Sequence, residues 1–315
     1  MSSIAPDPEP VHAPIWGHDL TLPIGLGTNV FGRTIDEPTA YRILDAFLDA
    51  GGTLIDTADT YSDGAAETVL GKWMRDRGTR DQVVIATKMG NHPRFEGLSA
   101  AAVSGAIEES LRRLGTDHVD LYFAHYEDPQ TSVDESAAAF DALVHAGKIG
   151  AVGLSNFSAN TVQDWIGAAQ AGGHVAPVAL QPHYSLAHRE PFETDFVPIA
   201  TAEQLAVLPY RALGGGFLSG KYRTEASTEG RARGAGVLPM LNPAGQGLLD
   251  TLEAIAVSQD ARPATVALAW LMQQPTVTAP LVSATSTDQL DELLAAPSVV
   301  LSQDEQAQLA ALPAP

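Results

Sequence analysis

The stretch Thr53-Leu-Ile-Asp-Thr-Ala-Asp-Thr-Tyr61 joins a short apolar run to an aspartate and, five residues later, to a tyrosine. Its two aliphatic residues predict a buried strand that ends at Asp56. Two further apolar runs end in the same way, one on Lys88 and the other on His125. Three predicted strands therefore carry a titratable residue at the C-terminal end, and this pattern organises the interpretation of the whole chain.

Strand-like and helix-like segments alternate along the sequence. The predicted strands span 24–28, 53–56, 83–87, 119–124, 149–154, 178–180, 205–208 and 280–283. The predicted helices span 38–50, 65–77, 99–114, 132–146, 158–171, 194–203, 247–258, 263–274 and 287–295. This alternation predicts a parallel sheet with right-handed crossovers, which is either a closed eight-stranded barrel or an open doubly wound sheet.

The turn after the first strand decides between these two closures. A doubly wound dinucleotide-binding sheet requires Gly-x-Gly-x-x-Gly there, and Val30 stands where the third glycine belongs. We therefore predict an α/β fold of the (β/α)8 TIM-barrel type in a single domain spanning 15–315. Residues 1–14 are predicted to be a flexible tail, and 15–23 a small hairpin that caps one end of the barrel.

Composition narrows the class of protein. A hydrophobic content of 45% is sufficient for a large core, and the chain has no cysteine for disulfides, thiol nucleophiles or metal ligation. Its net charge of −20 disfavours nucleic acid and anionic membranes as partners. The sequence contains neither an apolar run long enough to span a membrane nor a signal-peptide pattern. We therefore expect a cytoplasmic enzyme.

In a barrel, the C-terminal ends of consecutive strands meet at one mouth. Asp56, Lys88 and His125 are therefore predicted to converge, and Tyr61 can reach the same place from the loop after the second strand. Each residue alone has an ordinary explanation, such as a helix cap, a surface lysine, a hydrogen-bonded histidine or a packed aromatic ring. Their joint occurrence at corresponding strand ends favours a catalytic site.

The four side chains suit proton donation to a carbonyl oxygen. A tyrosine with an ordinary pKa near ~10 becomes a usable acid when a nearby ammonium stabilises its phenolate. Asp56 would keep Lys88 protonated, and His125 would orient the carbonyl oxygen. Because the set contains no serine or cysteine nucleophile and no metal cluster, a nicotinamide hydride is the natural attacking group.

The chain resembles the aldo-keto reductase family nearly end to end. The matching stretches are Gly25 to Thr28, Asp56 to Ser62, Ala86 to Lys88, the His125 strand, Gly147 to Gly150, Gly153 to Phe157, Gln181 and Gly214 to Tyr222. The resemblance implies a (β/α)8 barrel that reduces carbonyl groups with NAD(P)H. It also implies that Asp56, Tyr61, Lys88 and His125 form the catalytic tetrad, with Tyr61 as the general acid.

The same resemblance implies a set of cofactor-binding positions. Ser155, Asn156 and Gln181 match residues that hold the nicotinamide carboxamide, and Tyr210 matches a residue placed against the nicotinamide ring. The segment from Leu213 to Lys221 matches the loop over the pyrophosphate. The whole implied set is Gly27, Thr28, Asn29, Ser155, Asn156, Gln181, Tyr210, Arg211, Leu213, Gly216, Leu218, Gly220, Lys221, Ala284, Thr285 and Gln289.

Two departures from the family pattern bear on the cofactor. Arg211 and Ala212 replace a small hydroxyl residue and a proline, and Arg211 either contacts cofactor phosphates or pairs with an acid. Thr285 and Ser286 stand where the family often carries a cation for the 2′-phosphate of NADP. We expect NADP(H), with NAD(H) as the alternative.

The substrate is expected to be a small apolar or aromatic aldehyde or ketone. The pocket is predicted to be open and lined by Val30, Phe31, Tyr61, Met89, Tyr126 and parts of 210–240. Two other functions stay open: a regulatory subunit that resembles potassium-channel β-subunits, and an alcohol or sugar dehydrogenase working in the oxidative direction. The sequence leaves the choice between monomer and homo-oligomer open.

Overall fold

The computed structural model describes residues 20–231 and 233–315. Eight of its strands form one parallel sheet in the order β10-β1-β2-β3-β6-β7-β8-β9. The remaining two strands form a small antiparallel hairpin. The strands are β1 Gly25–Gly27, β2 Leu54–Asp56, β3 Val84–Met89, β4 Asn91–His92, β5 Phe95–Glu96, β6 Val119–Ala124, β7 Ile149–Ser155, β8 Ala179–Gln181, β9 Ala206–Val207 and β10 Leu281–Val282.

The two edges of the sheet meet and close it into a barrel. Leu281 N donates to the carbonyl of Pro209 at 2.8 Å, and Thr278 N donates to the carbonyl of Val207 at 2.9 Å. These bonds join the segments around β9 and β10, while β10 also pairs with β1. The predicted (β/α)8 TIM barrel is confirmed, as a single domain.

Helices surround the barrel. They are α1 Glu37–Asp49, α2 Ala65–Arg77, α3 Ala100–Leu114, α4 Val133–His145, α5 Ala159–Gly172, α6 Val197–Ala202, α7 Gly234–Val237, α8 Pro243–Ser258, α9 Pro263–Met272, α10 Thr287–Leu294 and α11 Gln303–Ala310. No helix within 20–231 or 233–315 has the length and apolar character of a membrane span.

Local sequence accounts for where the helices start and stop. Asp36, Ser99 and Ser132 each accept a hydrogen bond at a helix N-terminus from a backbone N–H three residues on. Gly78 and Gly115 end α2 and α3 in the left-handed conformation, which costs glycine little.

Two observed features differ from the predicted elements. The helix predicted over 194–203 is a π-turn at Phe192–Phe196 followed by the short α6, because Pro198 is accommodated only in the first helical turn. The β4–β5 hairpin was not predicted, because two-residue strands show no measurable alternation. The predicted tail and most of the hairpin predicted at 15–23 lie outside the described residues.

The barrel separates two apolar cores. The smaller one fills the barrel and takes alternate strand residues, including Leu54, Val84, Ala86, Leu121 and Phe123. The larger one lies between the strands and the helices and takes the residues in between. Because side chains alternate across a strand, the inward-facing series continues to the last residues of each strand, at the mouth. This geometry positions the site described below.

Helix α2 packs so closely on the end of α3 that Gly71 has no space for a side chain. A Cβ atom there would lie 2.5 Å from the carbonyl oxygens of Arg113 and Leu114. We predict that Gly71→Ala lowers the free energy of unfolding by about 1–3 kcal/mol. Gly167→Ala is the matched control, because Gly167 in α5 has open space around it and alanine should add about 0.5–1 kcal/mol. Denaturant unfolding of both variants measures the difference, and equal effects would contradict the packing argument.

Candidate active site

The innermost layer of side chains at the C-terminal mouth is polar, although the layers beneath it are apolar. Alternation along the strands brings Asp56, Lys88, Ser155 and Gln181 to this layer, and His125 follows β6 in the same series. All five side chains are buried. Three residues of the predicted tetrad, Asp56, Lys88 and His125, therefore share one layer with Ser155 and Gln181 of the predicted nicotinamide set.

Lys88 is the centre of the cluster. Its ammonium contacts the Asp56 carboxylate at 2.7 Å and donates to the carbonyl of Thr57 at 2.6 Å. The Tyr61 hydroxyl lies 3.4 Å from the same nitrogen. Gln181 donates its amide at 2.8 Å to Asp56 Oδ1, the same oxygen that Lys88 contacts at 2.7 Å. Lys88 is fully buried, so these contacts replace the water it has lost.

The electrostatics keep Lys88 charged. Burial alone would lower the pKa of Lys88, but the charge of Asp56, together with hydrogen bonds, raises it above 10.5. Burial raises the pKa of Tyr61 above 10, and the Lys88 charge offsets only part of that rise. The expected stabilisation of the phenolate by the ammonium is therefore present, but it does not outweigh burial of the ring.

His125 is held as a neutral imidazole. Burial, followed by the charge of Lys88, lowers the pKa of His125 to about 3. Its Nδ1 atom is buried and has no hydrogen-bond partner among the described residues. The ring packs edge-on to Tyr61 at a centroid distance of 6.4 Å and lies 4.7 Å from the ring of Tyr126. A neutral ring can donate one hydrogen bond to a carbonyl oxygen without carrying charge.

The residues predicted to hold the carboxamide form a hydrogen-bonded chain. Ser155 Oγ donates to the carbonyl of Gln181 at 2.9 Å, and Asn156 donates to the carbonyl of His125 at 2.9 Å. The Tyr210 hydroxyl donates to the Asn156 side-chain oxygen at 2.7 Å. Asn156 is in the left-handed region at φ 58°, a conformation that asparagine tolerates better than most residues. Gln181 links this chain directly to Asp56.

An aromatic stack that the sequence did not reveal supports Tyr210. Its ring stacks on His183 at 5.4 Å, and His183 stacks on His188 at 3.7 Å. The stack borders a cavity of about 280 Å³, which Phe157 and Phe192 also line. None of the four predicted tetrad residues lines this cavity. We assign the stack to the support of Tyr210, because the ring of His183 stacks directly on the ring of Tyr210.

The loop matched to the pyrophosphate region is built from left-handed glycines. Gly214, Gly215, Gly216 and Gly220 have φ between 57° and 100°, where a side chain would be strained. Leu218 is fully buried and anchors the loop, and Leu213 packs partly against the core. Such a loop brings backbone N–H groups close to an anion.

Unpaired cations surround this loop despite the acidity of the chain. No ion pair of Arg33, Arg211, Lys221 or Arg233 occurs within the part of the chain that the structure describes. Burial and then the charges of Arg211 and Arg33 lower the pKa of Arg233, so these guanidinium groups lie close enough to repel. Arg211 is exposed, with φ 52°. Of its two expected roles, pairing with an acid is not observed.

The remaining predicted cofactor positions flank β1 and β10. Gly27 packs against Ser283, whose hydroxyl donates to Asn29 at 2.8 Å, and the Thr28 hydroxyl is buried without a partner among the described residues. Beyond buried Ala284, the Gln289 side-chain oxygen accepts from both N and Oγ1 of Thr285, at 3.0 Å each. Ser286 caps α10. These polar groups follow the C-terminal ends of β1 and β10.

The predicted substrate-pocket lining needs correction. The side chains of Phe31 and Met89 pack in the outer core with no exposed surface, so they do not line an open pocket at the mouth. Tyr126 is 43% exposed and Tyr61 is partly exposed. These two aromatic side chains are the exposed members of the predicted lining. No cluster of metal-ligating side chains is found within 20–231 or 233–315.

The turn after Tyr61 is a second feature that the sequence did not reveal. Ser62, Asp63 and Gly64 are all left-handed, at φ 54°, 55° and 82°. The Ser62 hydroxyl donates to the carbonyl of Phe31 at 2.7 Å. This bond offsets the cost of the strained backbone and fixes the turn that presents Tyr61 to the mouth.

Comparison with known proteins gives a consistent picture. The sequence profile described as "Aldo/keto reductase family" matches residues 23–313. The chain is 39% identical to aldo-keto reductase YhdN of Bacillus subtilis (strain 168) over 66% of this chain and 63% of that protein. It is 30% identical to an aryl-alcohol dehydrogenase [NADP(+)] of Phanerodontia chrysosporium over 90% of this chain and 76% of that protein. It is 31% identical to a "probable voltage-gated potassium channel subunit beta" of Oryza sativa subsp. japonica, over 86% and 85%.

The ion pair at the mouth predicts a non-additive effect on stability. Lys88→Met should lower the free energy of unfolding by about 3–5 kcal/mol, because it leaves the buried Asp56 carboxylate without its counter-charge. Asp56→Asn combined with Lys88→Met should recover much of that loss, since no buried charge remains. Lys148→Met, which breaks a partly exposed ion pair with Glu108, should cost at most about 1 kcal/mol. Additive losses in the double variant, measured by denaturant unfolding, would contradict this account.

Proposed function

Because the chain belongs to the aldo/keto reductase family, we propose that it is an NAD(P)H-dependent oxidoreductase that reduces aldehydes or ketones, with Tyr61 as the general acid. Membership of the family makes it an oxidoreductase of that class. The observation that supports the finer proposal is the position of the Lys88 ammonium, 2.7 Å from Asp56 and 3.4 Å from the Tyr61 hydroxyl. A tyrosine in this setting has a cation to stabilise it once its proton is lost.

The proposed mechanism assigns one role to each tetrad residue. The carbonyl oxygen of the substrate binds between the Tyr61 hydroxyl and the neutral ring of His125. As negative charge develops on that oxygen, Tyr61 donates its proton to it, and Lys88 stabilises the resulting phenolate. Asp56 keeps Lys88 protonated and in place. The high pKa of Tyr61 suits an acid that acts on an alkoxide, which is more basic still.

The mouth fits a dinucleotide. The left-handed glycine loop and the uncompensated cations around it suit phosphates, and the side chains of Ser155, Asn156 and Gln181 suit an amide. A reduced nicotinamide bound there would supply the hydride for the carbonyl carbon. Tyr210 would pack against its ring, held by Asn156 and the His183 stack. Gln181 would connect the carboxamide position to Asp56.

The cofactor proposed is NADP(H), with NAD(H) as the alternative. Thr28, Asn29, Thr285 and Gln289 are proposed to contact its ribose and adenine ends with neutral groups. The positive charge proposed to attract the cofactor phosphates comes from Arg211 and Lys221. Arg33 and Arg233, which the sequence did not single out, are proposed to add to it. These four cations have no ion pair among the described residues, and in a chain of net charge −20 they favour the more highly phosphorylated cofactor.

The substrate proposed is a small aromatic or apolar carbonyl compound. The ring of Tyr126 is exposed beside His125 and offers a stacking surface. A similar protein is named an aryl-alcohol dehydrogenase, which fits an aromatic substrate and also keeps the oxidative direction open. Other similar proteins are named as potassium-channel β-subunits, so a regulatory role is the second candidate.

Turnover separates these candidates. Wild-type protein should consume NADPH or NADH with at least one member of a panel of aldehydes, ketones and sugars. Tyr61→Phe should lower the rate by about 10²–10⁴-fold while the cofactor still binds, because only the proton donor is lost. Near-normal rates in Tyr61→Phe would refute the role of Tyr61. Cofactor binding without turnover of any panel member would favour the regulatory subunit.

The cation cluster predicts cofactor affinity. Arg211→Ala should weaken NADPH binding by at least about tenfold, since a charge-assisted hydrogen bond to phosphate is lost. Arg75→Ala is the matched control, because Arg75 is exposed on α2 and pairs with its neighbour Asp76. Fluorescence titration measures both affinities at one fixed salt concentration. Equal NADPH affinities of the two variants would show that Arg211 does not contact the cofactor.

A further inference from the structure

Directly behind the predicted catalytic layer lies a second group of ionisable side chains. Lys88 and Thr87 are neighbours in β3, so their side chains point to opposite faces of the barrel wall. Lys88 points inward to the tetrad, and Thr87 points outward to α2 and α3. The backbone N–H of Asp59 donates to the carbonyl of Lys88 at 3.1 Å, which ties the Asp59 segment to the back of Lys88.

The outer group contains two carboxyl groups and one guanidinium. Glu67 of α2 is fully buried and accepts from the Thr87 hydroxyl and from Arg113 Nε, at 2.6 Å each. Its charge is therefore compensated. Asp59 is only 1% exposed, and neither of its carboxyl oxygens has a well-formed hydrogen bond among the described residues. The Tyr122 hydroxyl, in electrostatic range of Asp59, also has no such partner.

An ionised Asp59 would be a buried charge without compensation. Among the described residues, the cations that act on Asp59 are Arg113, which is bound to Glu67, and Lys88, which is bound to Asp56 on the far side of the strand. A buried carboxylate in this setting lowers its energy by taking up a proton.

We propose that Asp59 is a positioning residue for the reaction: its buried carboxyl group binds and releases a proton and thereby changes the field that acts on Lys88 and Tyr61. The effect on rate rests on the proposed reductase function. The proton equilibrium itself, and its effect on Lys88, do not.

The electrostatics of the group agree with this geometry. Burial, followed by the charge of Glu67, raises the pKa of Asp59 to about 7. Arg113, the backbone N–H of Thr60 and Lys88 lower it in part. Burial keeps the pKa of Tyr122 well above its usual value, so that ring stays neutral and does not compete for the proton.

The sign of the effect on rate follows from charge. Below neutral pH, Asp59 is neutral and Lys88 can stabilise the Tyr61 phenolate fully. Above neutral pH, the Asp59 carboxylate makes a phenolate at Tyr61 less favourable, so the reduction slows. A shift of one unit in the effective pKa of Tyr61 corresponds to about a tenfold change, which is the upper size we expect.

The first test follows the protonation of Asp59 in the absence of substrate. Carboxyl-carbon NMR of aspartate-labelled protein should show one buried carboxyl titrating near neutral pH, and Asp59→Asn should remove that signal. The side-chain ammonium signal of Lys88 should move with the same midpoint in wild type and stay constant in Asp59→Asn. The proposal would be overturned if Asp59 titrated near ~4, the ordinary value for aspartate. It would also be overturned if the Lys88 signal did not shift as Asp59 titrates.

The second test reads the consequence for catalysis. Wild-type kcat should fall severalfold as pH rises through about 7, while Asp59→Asn should keep the low-pH rate across this range. Asp164→Asn, on the exposed face of α5, removes one negative charge elsewhere and should behave as wild type. Superimposable profiles of wild type and Asp59→Asn would overturn the effect on rate. If the wild-type protein showed no turnover at all, the reductase function would be refuted instead. The NMR experiment would still test the protonation of Asp59 in that case.

Thermal unfolding checks that the variant folds and gives an independent sign. A raised carboxyl pKa contributes stability below the unfolded value of about 4, and this stability is lost as pH rises through about 7. Asp59→Asn avoids that loss, so its Tm relative to wild type should be higher at about pH 8 than at about pH 5. A relative Tm that falls as pH rises over this range would contradict a buried proton on Asp59.

Discussion

The buried ion pair between Lys88 and Asp56 is the interaction on which the mouth of the barrel depends. The free-energy cost of burying the two charges is offset by their direct contact at 2.7 Å and by hydrogen bonds to the carbonyl of Thr57 and from the amide of Gln181. A buried pair of this kind is retained for geometry and electrostatics rather than for stability. Here it holds a cation 3.4 Å from the Tyr61 hydroxyl in a layer that excludes water. The neutral state of His125 follows from the same cation and from burial.

The ion pair also connects parts of the chain that are far apart in sequence. Gln181 joins Asp56 to Ser155, and Asn156 then joins the backbone of His125 to Tyr210. A residue proposed to hold the cofactor is thus hydrogen-bonded to a residue proposed for proton transfer. Behind the same strand, Asp59 places an uncompensated carboxyl within the field of Lys88. The functional unit therefore extends through the barrel wall.

Charge distribution is the second constraint on this molecule. The chain carries 38 acidic and 18 basic residues, yet Arg33, Arg211, Lys221 and Arg233 have no ion pair among the described residues. Most other cations form ion pairs, such as Arg77 of α2 with Asp45 of α1 and Arg223 with Asp250 of α8. The acidic surface thus coexists with a local cationic region beside the glycine loop, which suits an anionic cofactor despite the net charge.

The sequence by itself determined the barrel and the residues at its mouth. Strand periodicity places Asp56, Lys88 and His125 at strand ends, and parallel strands in a closed sheet must bring those ends together. Tertiary structure decided the burial of Phe31 and Met89, the stack that holds Tyr210 and the grouping of Arg33 with Arg233. Tertiary structure also buries Asp59 and leaves its carboxyl oxygens without a well-formed hydrogen bond among the described residues. Asp59 nevertheless lies within the stretch of sequence that predicted the fold. Periodicity assigns a side chain to a face, but its burial, its partners and hence its pKa depend on neighbours that only the folded chain brings into contact.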